Sequence, residues 1–411
     1  MSRISWLIVA VCLLFAGCSV NEVMVAEETE LEVAVVPKDE AMLLDIGIVE
    51  FDAGIPEEND PEESLIYDEI RLAESRYLAY HLKSTLQDTG HWGAVRVVPS
   101  VNTFTDVTLR ARIETSDGEF VKLHVTARDA AGQMWFENTY ETQTGMSSYS
   151  ERRDRRLDPY QKVFNDIAND LLAYVDALPP GHVQRVRQIS ELQFFADMAP
   201  LQYSEHLSND DDGVVSIQRL PAENDPTVIR LRQIRERDRL VIDMLNEHYA
   251  NFYYGIAIPY RAWRKTSREE SINYRQVKRS ATIQSLVGVV VLAGSLAADT
   301  DNSSSRSKRT VARNLQAIGI REGLERIVGG ITRGREANMH LESIAELSES
   351  FGSEAAPMVV NVQGQTRRLT GTASAQYESW RRLLRDIYQA ETGFREDIEV
   401  GAPVRAPESG G

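Results

Sequence analysis

Seven histidines, at positions 81, 91, 124, 182, 206, 248 and 340, are the side chains that could serve acid–base chemistry or ligate a metal near neutral pH, and their spacing supports neither use. There is no H-E-x-x-H and no close histidine pair. The two acid–histidine neighbours, Glu205-His206 and Glu247-His248, are adjacent positions that face apart on a helix. The run Ser208-Asn209-Asp210-Asp211-Asp212-Gly213 suggests a calcium loop with Gly213 as its sixth residue. It would then need Ser208 as first ligand and Arg219 as twelfth, so it fails at both ends. No serine occupies a G-x-S-x-G turn, and no G-x-x-x-x-G-K or G-x-G-x-x-G cradles a phosphate. Tyr249, Phe252, Tyr253 and Tyr254 could stack on sugar rings, although their spacing fits the buried stripe of a helix better. The expectation is a protein without catalytic residues, cofactor or metal.

Cys18 is the one residue with a specific chemistry. It follows Arg3, an apolar run from Trp6 to Ala16, and Gly17; that run is too short to span a membrane and has the shape of a secretory signal. Phe15-Ala16-Gly17-Cys18 resembles the lipobox of bacterial lipoproteins, with Phe15 where that family usually has Leu. The resemblance implies that residues 1–17 are a signal peptide and that the Cys18 thiol carries a covalent lipid. It also implies that Ser19, in place of an Asp after the cysteine, sends the protein to the outer membrane of a Gram-negative cell, facing the periplasm. Cys12 leaves with the signal, so the mature chain holds no disulfide, Cys-based zinc site or cysteine nucleophile.

The elements that must hold any site follow from composition and pattern. A chain of 411 residues, 42% hydrophobic and 26% charged, can bury two or three globular cores. Its net charge of −17 argues against nucleic acid as a partner. Residues 18–41 are acidic and aperiodic and read as a flexible tether. Over 42–178, Met42 to Phe51 reads as a buried strand, 62–90 as a helix ending at Gly90, and 94–100 as a short strand. Val107, Leu109, Ala111 and Ile113 alternate with polar residues, as do Val121, Leu123, Val125 and Ala127, giving strands joined at Asp117-Gly118 and Asp129 to Gly132. A helix stopped at Pro179-Pro180 closes the unit.

This β-α-β-β-β-β-α order, with the strand Asp45-Ile46-Gly47-Ile48-Val49-Glu50-Phe51 and the Asp129-Ala130-Ala131-Gly132 turn, resembles small periplasmic α/β domains. These are found in the curli-secretion lipoprotein family, the N-terminal domain of TolB and lipoprotein activators of penicillin-binding proteins. The resemblance implies an interaction module that self-associates or docks on an envelope protein. The long alternating strands that build a curli-type barrel are not found in the sequence.

Residues 179–350 read as mainly helical, with "SNDDDG" as an acidic linker. Within them, Ser280 to Ala298 is uncharged, and a second amphipathic piece from 310 to 334 completes a glycine-rich apolar hairpin over 280–334. Gly288 and Gly294 on the first arm, and Gly319, Gly323, Gly330 and Gly334 on the second, leave room for close backbone approach and oligomerisation. This spacing is similar to that of glycine-zipper envelope lipoproteins. A basic stretch with Arg264, Lys265, Arg275, Lys278 and Arg279, joined by Arg306, Lys308 and Arg309 in the turn, suits an anionic surface. Residues 351–395 read as strand, strand and helix, the last with a stripe of Tyr377, Trp380, Leu384, Ile387 and Tyr388; 396–411 read as a disordered tail. The expected whole is an α+β protein acting as a tethered, non-enzymatic binding or assembly factor in the envelope. Its partners would be the membrane, through the lipid, and an envelope protein or its own copies. The alternatives are an oligomeric transport or secretion conduit and an accessory factor for peptidoglycan enzymes.

Overall fold

The computed structural model describes residues 28–55, 67–99, 103–150, 157–222, 224–297, 335–353, 358–362 and 365–392. Its first layer is a five-stranded mixed sheet in the order β2-β1-β3-β4-β5: β1 (Ile46–Val49), β2 (Val95–Val98), β3 (Val107–Ser116), β4 (Phe120–Asp129) and β5 (Met134–Gln143). β1 runs parallel to both its neighbours, whereas β3, β4 and β5 are antiparallel. Strict alternation decides the faces. Val107, Leu109, Ala111 and Ile113 on β3, with Val121, Leu123, Val125 and Ala127 on β4, are buried against α1 (Asp68–Thr89) and α2 (Gln161–Asp176). The intervening residues Thr108, Arg110, Thr126 and Arg128 fall on the opposite face. Helix α1 opens on Asp68 and Glu69, which favour its N-terminal dipole, and stops at Gly90 in the left-handed region with φ of 68°. The β-α-β-β-β-β-α order expected over 42–178 and the mixed α+β class are those of the structure.

A second core forms from α3 (His182–Met198), the start of α4 (Pro226–Ala297), the hairpin β8 (Met358–Val362) and β9 (Gln365–Leu369), and α6 (Ala373–Thr392). Phe194, Phe195, Leu231, Ile234, Trp380, Leu384 and Ile387 are its centre, and burial of side chains of this size stabilises by about 1.5–3 kcal/mol each. The stripe read from the sequence on α6 is buried at all five positions.

Helix α4 joins the two cores. Its 72 residues make a rod about 108 Å long at 1.5 Å per residue. Val228 to Leu245 pack in the second core, while Tyr249, Phe252, Ile256, Tyr260 and Trp263 pack in the first. The aromatic run singled out in the sequence is therefore mostly core; only Tyr254, 69% exposed, faces solvent. The Asn246 amide closes one sheet edge, with Oδ1 accepting from Val97 N at 2.8 Å and Nδ2 donating to Val97 O at 2.9 Å. Helix α5 (Arg335–Ser353) lies against α1 and α4, where Phe351 stacks on His248 at 4.2 Å and Arg76 sits over the Phe351 ring at 4.6 Å.

Two segments differ from the sequence reading. Residues 28–34 are docked rather than free. Asn165 and Asn169 donate to the carbonyls of Thr29 and Glu30, Glu32 N donates to Asn169 Oδ1, and Ala34 N donates to Thr89 O. Leu31 packs on the first core. A flexible tether over the whole of 18–41 is corrected accordingly, and residues 18–27 lie outside the described residues. "SNDDDG" is the turn of a hairpin, β6 (Leu207–Asn209) and β7 (Val215–Ile217), because Asp210 Oδ1 accepts from Asp212 N and Val214 N while Gly213 takes φ of 79°.

Candidate functional site

The hairpin β6–β7 and helix α3 stand beside the polar face of the sheet without filling it. Val215 N donates to Ala131 O at 2.7 Å and Gln193 Nε2 to Ala130 O at 2.8 Å, so both elements are pinned to the β4–β5 turn. Between them and the strands lies an open groove of about 960 Å³. Its floor is cross-strand paired: Thr108 opposite Arg128, and Arg110 opposite Thr126. The two guanidinium-bearing positions thus lie on one diagonal and the two hydroxyl-bearing positions on the other, with diagonal neighbours about 7–8 Å apart. Thr105, whose Oγ1 is 3.1 Å from Thr108 Oγ1, closes the end over β1. It fits there because Gly47 has no side chain; a Cβ on Gly47 would lie 2.7 Å from that oxygen. Ser204, Ser208, Asn209 and Gln193 complete the wall.

The charges of the groove are unequally matched. Arg110 is exposed and makes no hydrogen bond or ion pair to any described residue, and Arg128 donates to the Gly132 carbonyl alone. The two carboxylates that line it are held by other groups. Asp129 accepts from Gln133 N, Trp135 Nε1 and His182 Nε2, and Asp197 is paired with Arg381 and Arg385. In a chain of net charge −17 the groove floor is locally cationic.

A second polar cluster lies inside the molecule, where α4 crosses α1 and the β3–β4 turn. Arg264 is 1% exposed and donates through both Nη1 and Nη2 to Asp158 at 2.8 Å. Its guanidinium lies 4.1 Å from the centre of the Tyr260 ring and 4.8 Å from that of Tyr160. Glu74 accepts from Ser116 Oγ at 2.6 Å and Tyr260 OH at 2.8 Å. Burial pushes the Glu74 carboxyl up, only partly opposed by Arg71. For Asp158 burial pushes the same way, but the Arg264 guanidinium overrides it and holds that carboxyl well below the usual range. His81 sits between Tyr253 OH at 2.8 Å and Gln161 Oε1 at 2.9 Å. Burial lowers its pKa, and the acceptor Gln161 Oε1 fixes the proton on Nε2. This cluster is closed to ligands and stabilises the joint.

The basic residues singled out in the sequence do not form one surface. Arg264, expected to face an anionic surface, is corrected to the buried partner of Asp158, because its helical position turns it into the first core. Arg275 is paired with Asp117 and Glu119, which neutralises it within the fold. Lys265 is exposed. The backbone of α4 is helical through Lys278, Arg279, Gly288 and Gly294 to Ala297, but the side chains from residue 277 onward lie outside the description. Cys18, Ser19, Arg306, Lys308, Arg309, Gly319, Gly323, Gly330 and Gly334 lie outside the described residues. No group of three or more metal-ligating side chains is assembled among the described residues, and none of their helices is long and apolar enough to cross a membrane.

Thr108, Arg110, Thr126 and Arg128 were missed from the sequence as site residues. Their signal was present, since they are the polar members of the two alternating strands. No protein-family model, curated protein or solved structure matches the chain.

Proposed function

We propose that this protein is a lipid-anchored, non-enzymatic binding factor of the outer membrane, attached through Cys18 and recognising its ligand in the groove over β3 and β4. The observation that carries the reading is the groove itself: a cavity of about 960 Å³, on the scale of a small-molecule site, lined by hydroxyl and amide groups and two guanidinium groups without carboxylate partners among the described residues. The buried, pKa-shifted groups Glu74, Asp158 and His81 are engaged in holding α4 to α1 and to the segment before α2, which supports a structural use for them. The lipobox-like Phe15 to Cys18 supports the anchor, and the docked segment 28–34 supports a short reach from it. Ten residues from Cys18 extend at most about 35 Å.

The test is palmitate labelling and fractionation of cells expressing the full chain or its Cys18→Ser form. Label and membrane association present in the parent and lost in Cys18→Ser are expected; equal partitioning of both forms without label would sink the anchor. A conduit reading draws on a separate observation, the continuation of α4 as helix to Ala297, beyond its ion pair at Arg275. That reading requires a ring-like oligomer by light scattering, lost on Gly319→Leu.

A further inference from the structure

We infer that the groove takes an acidic saccharide, a short sugar chain bearing carboxylates, with Arg110 and Arg128 as the carboxylate-binding pair. The inference rests on the proposed binding reading and names its ligand class.

Three features select this chemistry. First, the floor belongs to β3 and β4, each of which has a strand on both sides. Their backbone N–H and C=O groups are used in the ladder, so an extended peptide cannot add itself as a strand and recognition falls to side chains. Second, those side chains are hydroxyls and amides: Thr105, Thr108 and Thr126 on the floor, with Ser204, Asn209 and Gln193 on the walls. Such groups match the alternating donors and acceptors of sugar hydroxyls, and Phe104, Met134, Leu207 and Val215 between them offer apolar surface to the C–H faces of sugar rings. Third, Arg110 has no counter-charge among the described residues, and Arg128 has only the Gly132 carbonyl. A planar guanidinium donates two parallel hydrogen bonds to a carboxylate, and among the described residues neither cation has such a carboxylate, so a ligand can supply it. The two carboxylates that line the groove do not compete, since Asp129 is turned toward Trp135 and His182, and Asp197 is held by Arg381 and Arg385.

The experiment is isothermal titration of the purified full chain with hyaluronan tetrasaccharide, which alternates glucuronate and N-acetylglucosamine. Chitotetraose serves as its neutral counterpart and hexaglutamate as an acidic peptide. Binding of the hyaluronan fragment, no binding of chitotetraose, and a weakening of about tenfold or more in Arg110→Gln are expected, the size of one charged hydrogen bond. Thr108→Val keeps the side-chain shape and removes one hydroxyl; it is expected to weaken binding by a smaller factor. Unchanged melting temperatures of both variants show that folding is not the cause. Equal binding of chitotetraose, binding of hexaglutamate in preference, or hyaluronan binding indifferent to Arg110→Gln would each overturn the assignment. No binding of any probe by a chain that still labels at Cys18 also overturns it and leaves the lipid anchor standing. Loss of labelling with saccharide binding intact would do the reverse.

Discussion

Arg264 lies by the β3–β4 turn and Arg110 toward the other end of the same two strands, and they have opposite fates. Arg264 is enclosed by Asp158 and two tyrosine rings, with every charge answered inside the protein. Arg110 stands on the open face with no answering charge among the described residues. The same side chain holds α4 to the segment before α2 in one place and stands exposed without a charged partner among the described residues in the other, and what separates the two is pairing and burial rather than residue type. The seam should break the fold when altered; the groove should break only binding.

The largest expected effect is therefore at the seam. Arg264→Ala leaves the Asp158 carboxylate buried without its partner and should cost about 3–5 kcal/mol in urea denaturation. A loss under about 1 kcal/mol would show that the seam is wetter than its geometry. Gly118→Ala comes next. Its φ is +81° and a Cβ would lie 2.0 Å from the Arg264 carbonyl oxygen, a backbone atom of α4 that cannot yield without lifting the helix. A cost of about 2 kcal/mol or more should follow, with a lower melting temperature.

Asn246→Ala uncovers Val97 N and O at the edge of the sheet. It should cost about 1–2 kcal/mol and quicken hydrogen exchange at Val97 first.

Acidification sharpens the comparison further. The folded pKa of His81 is lowered by burial, so its contribution to stability is complete above the ordinary imidazole value of about 6.5 and declines as pH falls toward the folded value. Melting temperature should fall between pH 7 and pH 5, and His81→Gln should flatten that slope. At the small end, Arg110→Gln should change stability by less than about 0.5 kcal/mol while weakening saccharide binding about tenfold or more.

The succession of strands and helices along 42–178, with α1, α2 and the C-terminal β-β-α unit, was legible in the sequence because each rests on local periodicity: alternation on β3 and β4, and a helical stripe on α6; the parallel placement of β1 between β2 and β3 was not. The seam was not legible, because Arg264 meets Asp158 across 106 positions of chain and a basic residue on a helix reads as solvated until the packing partner is known. The docking of 28–34 was hidden for a related reason. It is held by Asn165 and Asn169 through main-chain groups, so the docked residues carry little pattern of their own. The groove falls between these cases. Its floor was written in the polar positions of two strands, but its walls come from α3 and the β6–β7 hairpin, and the hairpin's turn reads as a linker until Asp210 is seen capping it.

The separation between Asp158 and Arg264 also bears on how the chain acquires its structure. As the polypeptide emerges N-terminus first at about 5–20 residues per second, Asp158 waits on the order of 5–20 s for its guanidinium. During that interval the five strands, α1 and α2 are all present, yet two acids meant for the interior, Glu74 and Asp158, have no Arg264 beside them. The early product is thus an unfinished half whose closing piece has not been made, and arrival of α4 completes the first core and brings in the helix on which the second is built.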